Sequence, residues 1–364
     1  MKRISPILIL VLVSACSGGG DPETSSKAWR VNTTSGAVTA EVAKNVVSWR
    51  DIPYAQPPVG ALRWRAPRPV ESPLGELSVR DNVACLQVAW DGGGIPGDGV
   101  VGAEDCLYLD ITAPVRASAV EPLPVMFWIH GGGNTSGFKG YYDFSTLVES
   151  QQVIVVAINY RLGPFGWFSH PVVQKQAEGL DRSSNFGTLD IIQALSWVQQ
   201  NISEFGGDAK NVTLFGESAG GHNVFALLAS PLSEGLFQKA ISQSGYLKTN
   251  TVEEAINADD DYPRIRRSSS QLFASMVDAG VLADVSTKSA YDVAGNTLME
   301  YYLELNDQGD VPLTTADGIV ISKEGMLAAL ANSSNAKDVP VIAGANRDEV
   351  TLWMSRHRYF VNAD

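Results

Sequence analysis

The stretch NVTLFGESAGGHNVFALLAS, Asn211 to Ser230, begins as an apolar strand, turns sharply through Gly216-Glu217-Ser218-Ala219-Gly220 and continues as an apolar helix. A strand feeding a helix through G-x-S-x-G makes a nucleophile elbow. The glycines suit a strained backbone that neighbouring segments approach closely. The turn thrusts Ser218 out at the carboxyl end of its strand. Ala219 opens the helix with its N–H unpaired, and such first-turn amides favour negative charge. Ser218 is therefore the candidate nucleophile and the Ala219 amide a candidate oxyanion donor. A glycine-flanked serine in a plain loop is the alternative, and the strand before and helix after weigh against it. Upstream, HGGG (His130 to Gly133) follows another buried strand. In this context Gly132 and Gly133 are expected to supply the remaining oxyanion donors, each capable of about 3 kcal/mol of transition-state stabilisation.

The flanking pattern predicts the fold class. LPVMFWIH (123–130) and VIVVAINY (153–160) are continuous apolar runs, as in strands buried on both faces. LDIIQALSWVQQNI (189–202) repeats apolar residues at helical spacing and stops at Gly206-Gly207. VTLF (212–215), KAISQSG (239–245) and VPVIAGA (339–345) supply further strands. Strands alternating with helices imply an α/β fold with a mostly parallel central sheet. The segment 251–310 is polar, with helical stretches such as SQLFASMVDAGV (270–281), and reads as an insertion or cap on that sheet.

The chain has 364 residues, 45% apolar and 18% charged, which fits a globular protein with a sizeable core. A net charge of −13 argues against a nucleic-acid partner, since phosphate backbones reward clustered Lys and Arg. Residues 1–15 read as a signal segment: Lys2 and Arg3, then the apolar ISPILILVLV, too short to span a bilayer. VSAC, ending at Cys16, reads as a bacterial lipobox, with 16–27 as a flexible tether. That places the protein outside the cytoplasm, held to a membrane only by a lipid on Cys16. An ordinary secretory signal, giving a periplasmic or secreted protein, is the alternative. Export makes a Cys85–Cys106 disulfide the default for the other two cysteines, closing a loop around DGGGIPGDG (91–99) and stabilising by roughly 3 kcal/mol; two buried thiols are the alternative. No clustered His/Cys set suggests a metal or other cofactor.

Together these residues resemble the type B carboxylesterases, relatives of the cholinesterases within the α/β hydrolases. The resemblance runs from about Trp29 to the last residue. FGGDAKNVTLFGESAGG (205–221) carries it most specifically. EDCLYL (104–109), IPYAQPPVGALRWRAP (52–67), NYRLGPFGW (159–167) and SQSG (242–245) match as well. The resemblance implies a Cys85–Cys106 bond and places the family's acid in NRDEV (346–350), on Glu349, with Asp348 the nearest competitor. Val350 stands where a glycine is usual. Asn134 replaces the aromatic residue usual after the glycine run, a change expected to alter the acyl side of the pocket.

Serine acyl transfer needs a base, and in this fold the order is serine, acid, histidine. The four histidines are His130, His170, His222 and His357. His130 belongs to the glycine loop, His222 points along the helix that follows Ser218, and His170 precedes the serine on a loop. His357 follows Glu349 in EVTLWMSRHRYF, which reads as a helix leading away from the site. In the family resembled, the histidine follows the acid by well over a hundred residues. The expectation is an incomplete hydrolase domain over 28–364, its last strands, final helix and histidine missing and a sheet edge exposed. The expected reaction is hydrolysis of a small-molecule carboxylic ester. A catalytically silent cholinesterase-like binding protein and an amidase using the same site remain alternatives.

Overall fold

The computed structural model describes residues 29–80, 83–89, 94–117, 120–257, 268–305, 314–332 and 337–349. The signal segment, the tether with Cys16, and the expected helix carrying His357 lie outside the described residues.

Eight strands form the main sheet: β1 (Glu41–Ala43), β2 (Val46–Pro53), β3 (Tyr108–Pro114), β4 (Leu123–Ile129), β5 (Ile154–Ile158), β6 (Gly207–Glu217), β7 (Lys239–Gln243) and β8 (Val341–Gly344). Their spatial order is β8-β7-β6-β4-β5-β3-β2-β1. From β8 to β5 all neighbours are parallel. From β5 outward through β3 and β2 to β1 they are antiparallel. The apolar runs become the central strands; in β5 every residue is buried. β3 instead alternates, burying Leu109, Ile111 and Ala113 while Asp110 and Thr112 are less covered. β8 lies at the sheet margin among the described strands, with Val341 45% and Ile342 66% exposed.

The described helices include α1 (Ser145–Gln151), α2 (Phe186–Asn201), α3 (Ala219–Ala229), α4 (Ser269–Asp278), α5 (Gly295–Glu304) and α6 (Met326–Ala331). α2 is buried on most sides, as its apolar composition demands. It runs into a short 3-10 turn that ends at Gly206 in the left-handed conformation. Within 251–310, α4 buries Leu272, Phe273 and Met276, and α5 buries Leu298, Met299 and Tyr302. These residues join the same hydrophobic cluster as the sheet. Trp64 sits among them, stacked on Phe168 and edge-on to Phe273 and Tyr291. The polar sequence of this segment thus hides two amphipathic faces, packed against Trp64 and the loop after β5.

Cys85 and Cys106 are joined, with an S–S distance of 2.03 Å across 21 positions. The bond ties β3 to a short hairpin, Gln87–Val88 against Val100–Val101. Two buried cations, Arg161 and Lys139, fix loops at the carboxyl ends of the strands. Arg161 grips Asp190 through Nη2 to Oδ1 at 2.7 Å and Nε to Oδ2 at 2.8 Å. Lys139 Nζ lies 2.7 Å from Asp51 Oδ1 and 2.8 Å from Asp110 Oδ1. Removing one member of such a pair leaves an uncompensated buried charge, at a cost of about 3–5 kcal/mol.

Candidate active site

The carboxyl ends of four adjacent strands converge: β4 leads into His130–Gly133, β6 into Ser218, β7 into Ser244 and β8 into Glu349. In an open parallel sheet, loops beyond the carboxyl ends are where ligands bind.

Ser218 has φ +55° and ψ −118°, a conformation that side-chain-bearing residues rarely adopt. Its surroundings over-determine it. The Ser218 N–H donates to the Gln243 carbonyl at 2.8 Å, and the Ser218 carbonyl accepts from the His222 N–H at 2.9 Å. The glycines are demanded by contact as well as by turning: a Cβ on Gly220 would collide with the Ile129 carbonyl, and one on Gly216 would lie 2.6 Å from the Gly220 backbone. The side chain of Ser218 is half-buried, neither sealed in the core nor free on the surface.

The glycine run lies directly over the elbow. A Cβ on Gly131 would lie 2.7 Å from the Glu217 carbonyl and 3.3 Å from Ser218 Cβ. Gly132 and Gly133 have φ +96° and +63°. Their peptide planes are locked from behind. The Gly131 carbonyl accepts from His130 Nδ1 at 2.8 Å. The Gly132 carbonyl accepts from the Thr135 and Ser136 amides at 3.1 and 3.0 Å, and from their hydroxyls at 3.2 and 3.1 Å. In a trans peptide the N–H points opposite to the carbonyl. These bonds therefore turn the Gly132 and Gly133 amides away from the loop's own acceptors. Among the described residues neither amide, nor that of Ala219, donates to another backbone carbonyl outside the regular elements. Gln87 braces the loop's far end, its amide accepting from the Gly137 N–H at 2.9 Å and donating to the Gly137 carbonyl at 3.0 Å.

Glu349 Oε2 accepts from the Ser244 hydroxyl at 2.8 Å and from the Asn346 N–H at 3.0 Å. Asp348, the competing acid, is 71% exposed at its side chain and pairs with Arg347. Glu217, beside the serine, has its carboxyl pushed above the usual range by burial and then by the charge of Glu349. Two carboxylates thus feel each other at the mouth of the site.

The three described histidines are engaged elsewhere. His130 is buried, stacked on Tyr160 with 4.3 Å between ring centroids, and burial lowers its pKa to about 4. His222 is buried, donates from Nδ1 to the Tyr246 carbonyl at 2.8 Å, and is likewise lowered to about 4 by burial. His170 caps a short helix, accepting from the Val172 N–H at 3.2 Å. None of them makes a hydrogen bond to Ser218 Oγ or to Glu349 among the described residues.

Asn134 turns inward. Its side chain is completely buried, and its Oδ1 accepts from Asn223 Nδ2 at 3.0 Å, so it faces helix α3. A small amide that tolerates φ +56° can turn inward where an aromatic ring could not fit. Sequence reasoning also passes over Glu217, Ser244 and Gln87. The first two stand inside quoted motifs, and Gln87 lies two residues past a cysteine. Spacing marks none of them, because each acts through a contact distant in sequence.

The Carboxylesterase family profile matches residues 27–361. Para-nitrobenzyl esterase of Bacillus subtilis (strain 168) is 38% identical over 335 residues, covering 89% of this chain and 64% of that protein. Human cocaine esterase is 35% identical over 318 residues, covering 84% of this chain and 52% of that protein. A solved PNB esterase superimposes with a TM-score of 0.73 at 34% identity, over 89% of this chain and 64% of its own. Geobacillus stearothermophilus carboxylesterase EST55 at pH 6.2 gives 0.74 at 30% identity, over 90% and 63%. The chain therefore spans less than two thirds of the length of these relatives. Sheet order, elbow and glycine run are those of an α/β hydrolase, and the chain belongs to the carboxylesterase family.

Proposed function

We propose that this chain carries the nucleophile, oxyanion hole and acid of a serine carboxylesterase. The observation that supports this best is the left-handed Ser218, poised beneath glycine amides whose own carbonyls are tied away from it. Ser218 Oγ attacks the ester carbonyl carbon as its proton passes to a base. The carbonyl oxygen becomes an oxyanion held by the Gly132, Gly133 and Ala219 amides. Collapse expels the alcohol, which takes the proton back from the base. Water then attacks the acyl-serine, the acid leaves, and the serine hydroxyl is restored. Glu349 orients the base, steadied by Ser244.

That base is not one of the three described histidines, which are bonded into the scaffold. His357 lies outside the described residues, and the helical reading of its segment takes it away from the serine. Hydrolysis of p-nitrophenyl acetate by the 364-residue chain is accordingly expected to be at least a thousandfold slower than by the B. subtilis para-nitrobenzyl esterase, and unchanged by His357→Ala. The slow reaction must still depend on Ser218. Equal rates in the wild type and Ser218→Ala would remove the serine from the mechanism. Labelling by an organophosphonate separates an esterase from a silent binding protein, and a panel of esters and amides separates an esterase from an amidase.

We also propose export and anchoring through a lipid on Cys16. Among the described residues no helix is long and apolar enough to cross a membrane. Metabolic labelling with palmitate that is lost in Cys16→Ser supports the anchor; unlabelled wild-type protein rules it out.

A further inference from the structure

The geometry points to Asn223 as a positioning residue that holds the oxyanion loop in register with the nucleophile's own helix. The proposal rests on the serine-esterase reading. Asn223 lies on α3, five residues after Ser218, and its side chain is completely buried. Its Nδ2 donates to Asn134 Oδ1 at 3.0 Å, immediately behind Gly132-Gly133. The front of the run is held separately, by the Tyr160 hydroxyl. That hydroxyl donates to the His130 carbonyl at 2.6 Å, immediately ahead of the run. Asn223 thus ties the back of the three glycines to the nucleophile's helix, while Tyr160 holds the front. The Asn134 carbonyl in turn accepts from the Gly163 N–H at 2.7 Å, which ties the loop to the segment after β5.

The arrangement answers a mechanical problem. The oxyanion hole draws on two separate segments, Ala219 from the helix and Gly132–Gly133 from the loop. Donors of this kind act only when preorganised to within a fraction of an ångström. Glycine is the least self-restrained residue, so a glycine loop needs an outside reference. A side chain on the helix that presents the third donor is the reference that keeps all three donors in one frame. Because the contacts are buried, water cannot substitute for a deleted partner without cost.

The test uses the full chain and phenylboronic acid as probe, which needs no turnover. Its boron bonds to Ser218 Oγ, the serine proton leaves to solvent, and the tetrahedral boron carries the negative charge with one oxygen in the oxyanion hole. Calorimetric affinity is compared among wild type, Asn223→Ala, Asn134→Ala, the double variant and Asn201→Ala. Asn201 is a control, a buried amide bonded to the Trp197 carbonyl and Thr34 hydroxyl far from the loop. Both single variants are expected to weaken the adduct at least tenfold, the double variant no more than twofold beyond the weaker single. Asn201→Ala is expected to lower the melting temperature while leaving affinity unchanged. Amide exchange at Thr135, Ser136 and Gly163 is expected to quicken at least tenfold in Asn223→Ala, with β5 unaffected. Unchanged exchange there overturns the clamp whatever the boronate does. Wild-type boronate binding no stronger than that of Ser218→Ala overturns the esterase reading instead, and exchange still decides the clamp.

Discussion

The Ser244 hydroxyl donates to Glu349 Oε2 at 2.8 Å across 105 positions of sequence, joining the carboxyl end of β7 to the loop after β8. Ser244 makes this bond from a left-handed backbone, φ +53°. Position and side chain therefore contribute with opposite signs. Ser244→Ala loses a bond to a half-buried carboxylate and keeps the strained backbone. A destabilisation of about 1–2 kcal/mol is expected by urea unfolding. Ser244→Gly loses the same bond but relaxes the backbone, so it should sit about 1 kcal/mol above the alanine variant. If glycine is no better than alanine at this position, the backbone there stores no strain.

Glu217 predicts a pH signature near the site. Burial and the charge of Glu349 raise its carboxyl above the ordinary value of 4.5. A raised carboxyl binds its proton more tightly folded than unfolded. Its contribution to stability is fully present below the unfolded pKa and is lost as pH rises through the folded one. Glu217→Gln removes the penalty, so the variant should gain in melting temperature relative to wild type from about pH 4.5 upward and be indistinguishable from it below. A constant difference across pH 4 to 8 would mean that folding does not shift the Glu217 carboxyl.

How much of this was legible in the sequence varies with how local the cause is. The parallel strands could be read because burial on both faces leaves an apolar run, and β4 to β7 lie within a few residues of where that pattern puts them. β2 could not, because a register shift between Trp49 and Ile52, with Asp51 at φ +56°, breaks its alternation. β3 alternates clearly, yet half of its alternation is polar and offers no apolar run. Ser218 and the glycine run were legible because a turn of that kind constrains residue types locally. The inward direction of the Asn134 side chain was not legible, because it depends on Asn223, 89 positions away. Nothing in a local pattern encodes such a pairing.

The buried histidines set the acid limit. His130 and His222 are lowered from 6.5 to about 4 by burial. Each stays neutral in the folded chain while the unfolded chain takes up a proton below 6.5. The stability they contribute is therefore fully present above pH 6.5 and is lost as pH falls toward 4, by roughly 3 kcal/mol per histidine. Unfolding free energy should fall steeply over that interval. His222→Gln should lose one histidine's share of the slope, even if it is less stable at pH 7. An unchanged slope in the variant would show that His222 titrates freely in the folded protein.

The candidate nucleophile carries the last prediction. Ser218 holds φ +55° and ψ −118°, and its neighbours leave it no alternative: its N–H is taken by Gln243 and its carbonyl by the helix. Residues held this way cost about 1–3 kcal/mol. The expense serves geometry, since it is this kink that brings Ser218 beneath the glycine run, where a Cβ on Gly131 would lie 3.3 Å from Ser218 Cβ. Ser218→Ala keeps the kink and a Cβ, so its stability should match wild type within about 0.5 kcal/mol. Ser218→Gly frees the backbone, partly offset by the greater freedom of glycine in the unfolded chain, about 0.5–1 kcal/mol. A net gain of roughly 1 kcal/mol over the alanine variant is expected in denaturant unfolding, with Ser218-dependent hydrolysis absent from both. Glycine less stable than alanine at 218 would mean that the elbow is relaxed, and that the serine's exposure owes nothing to stored strain.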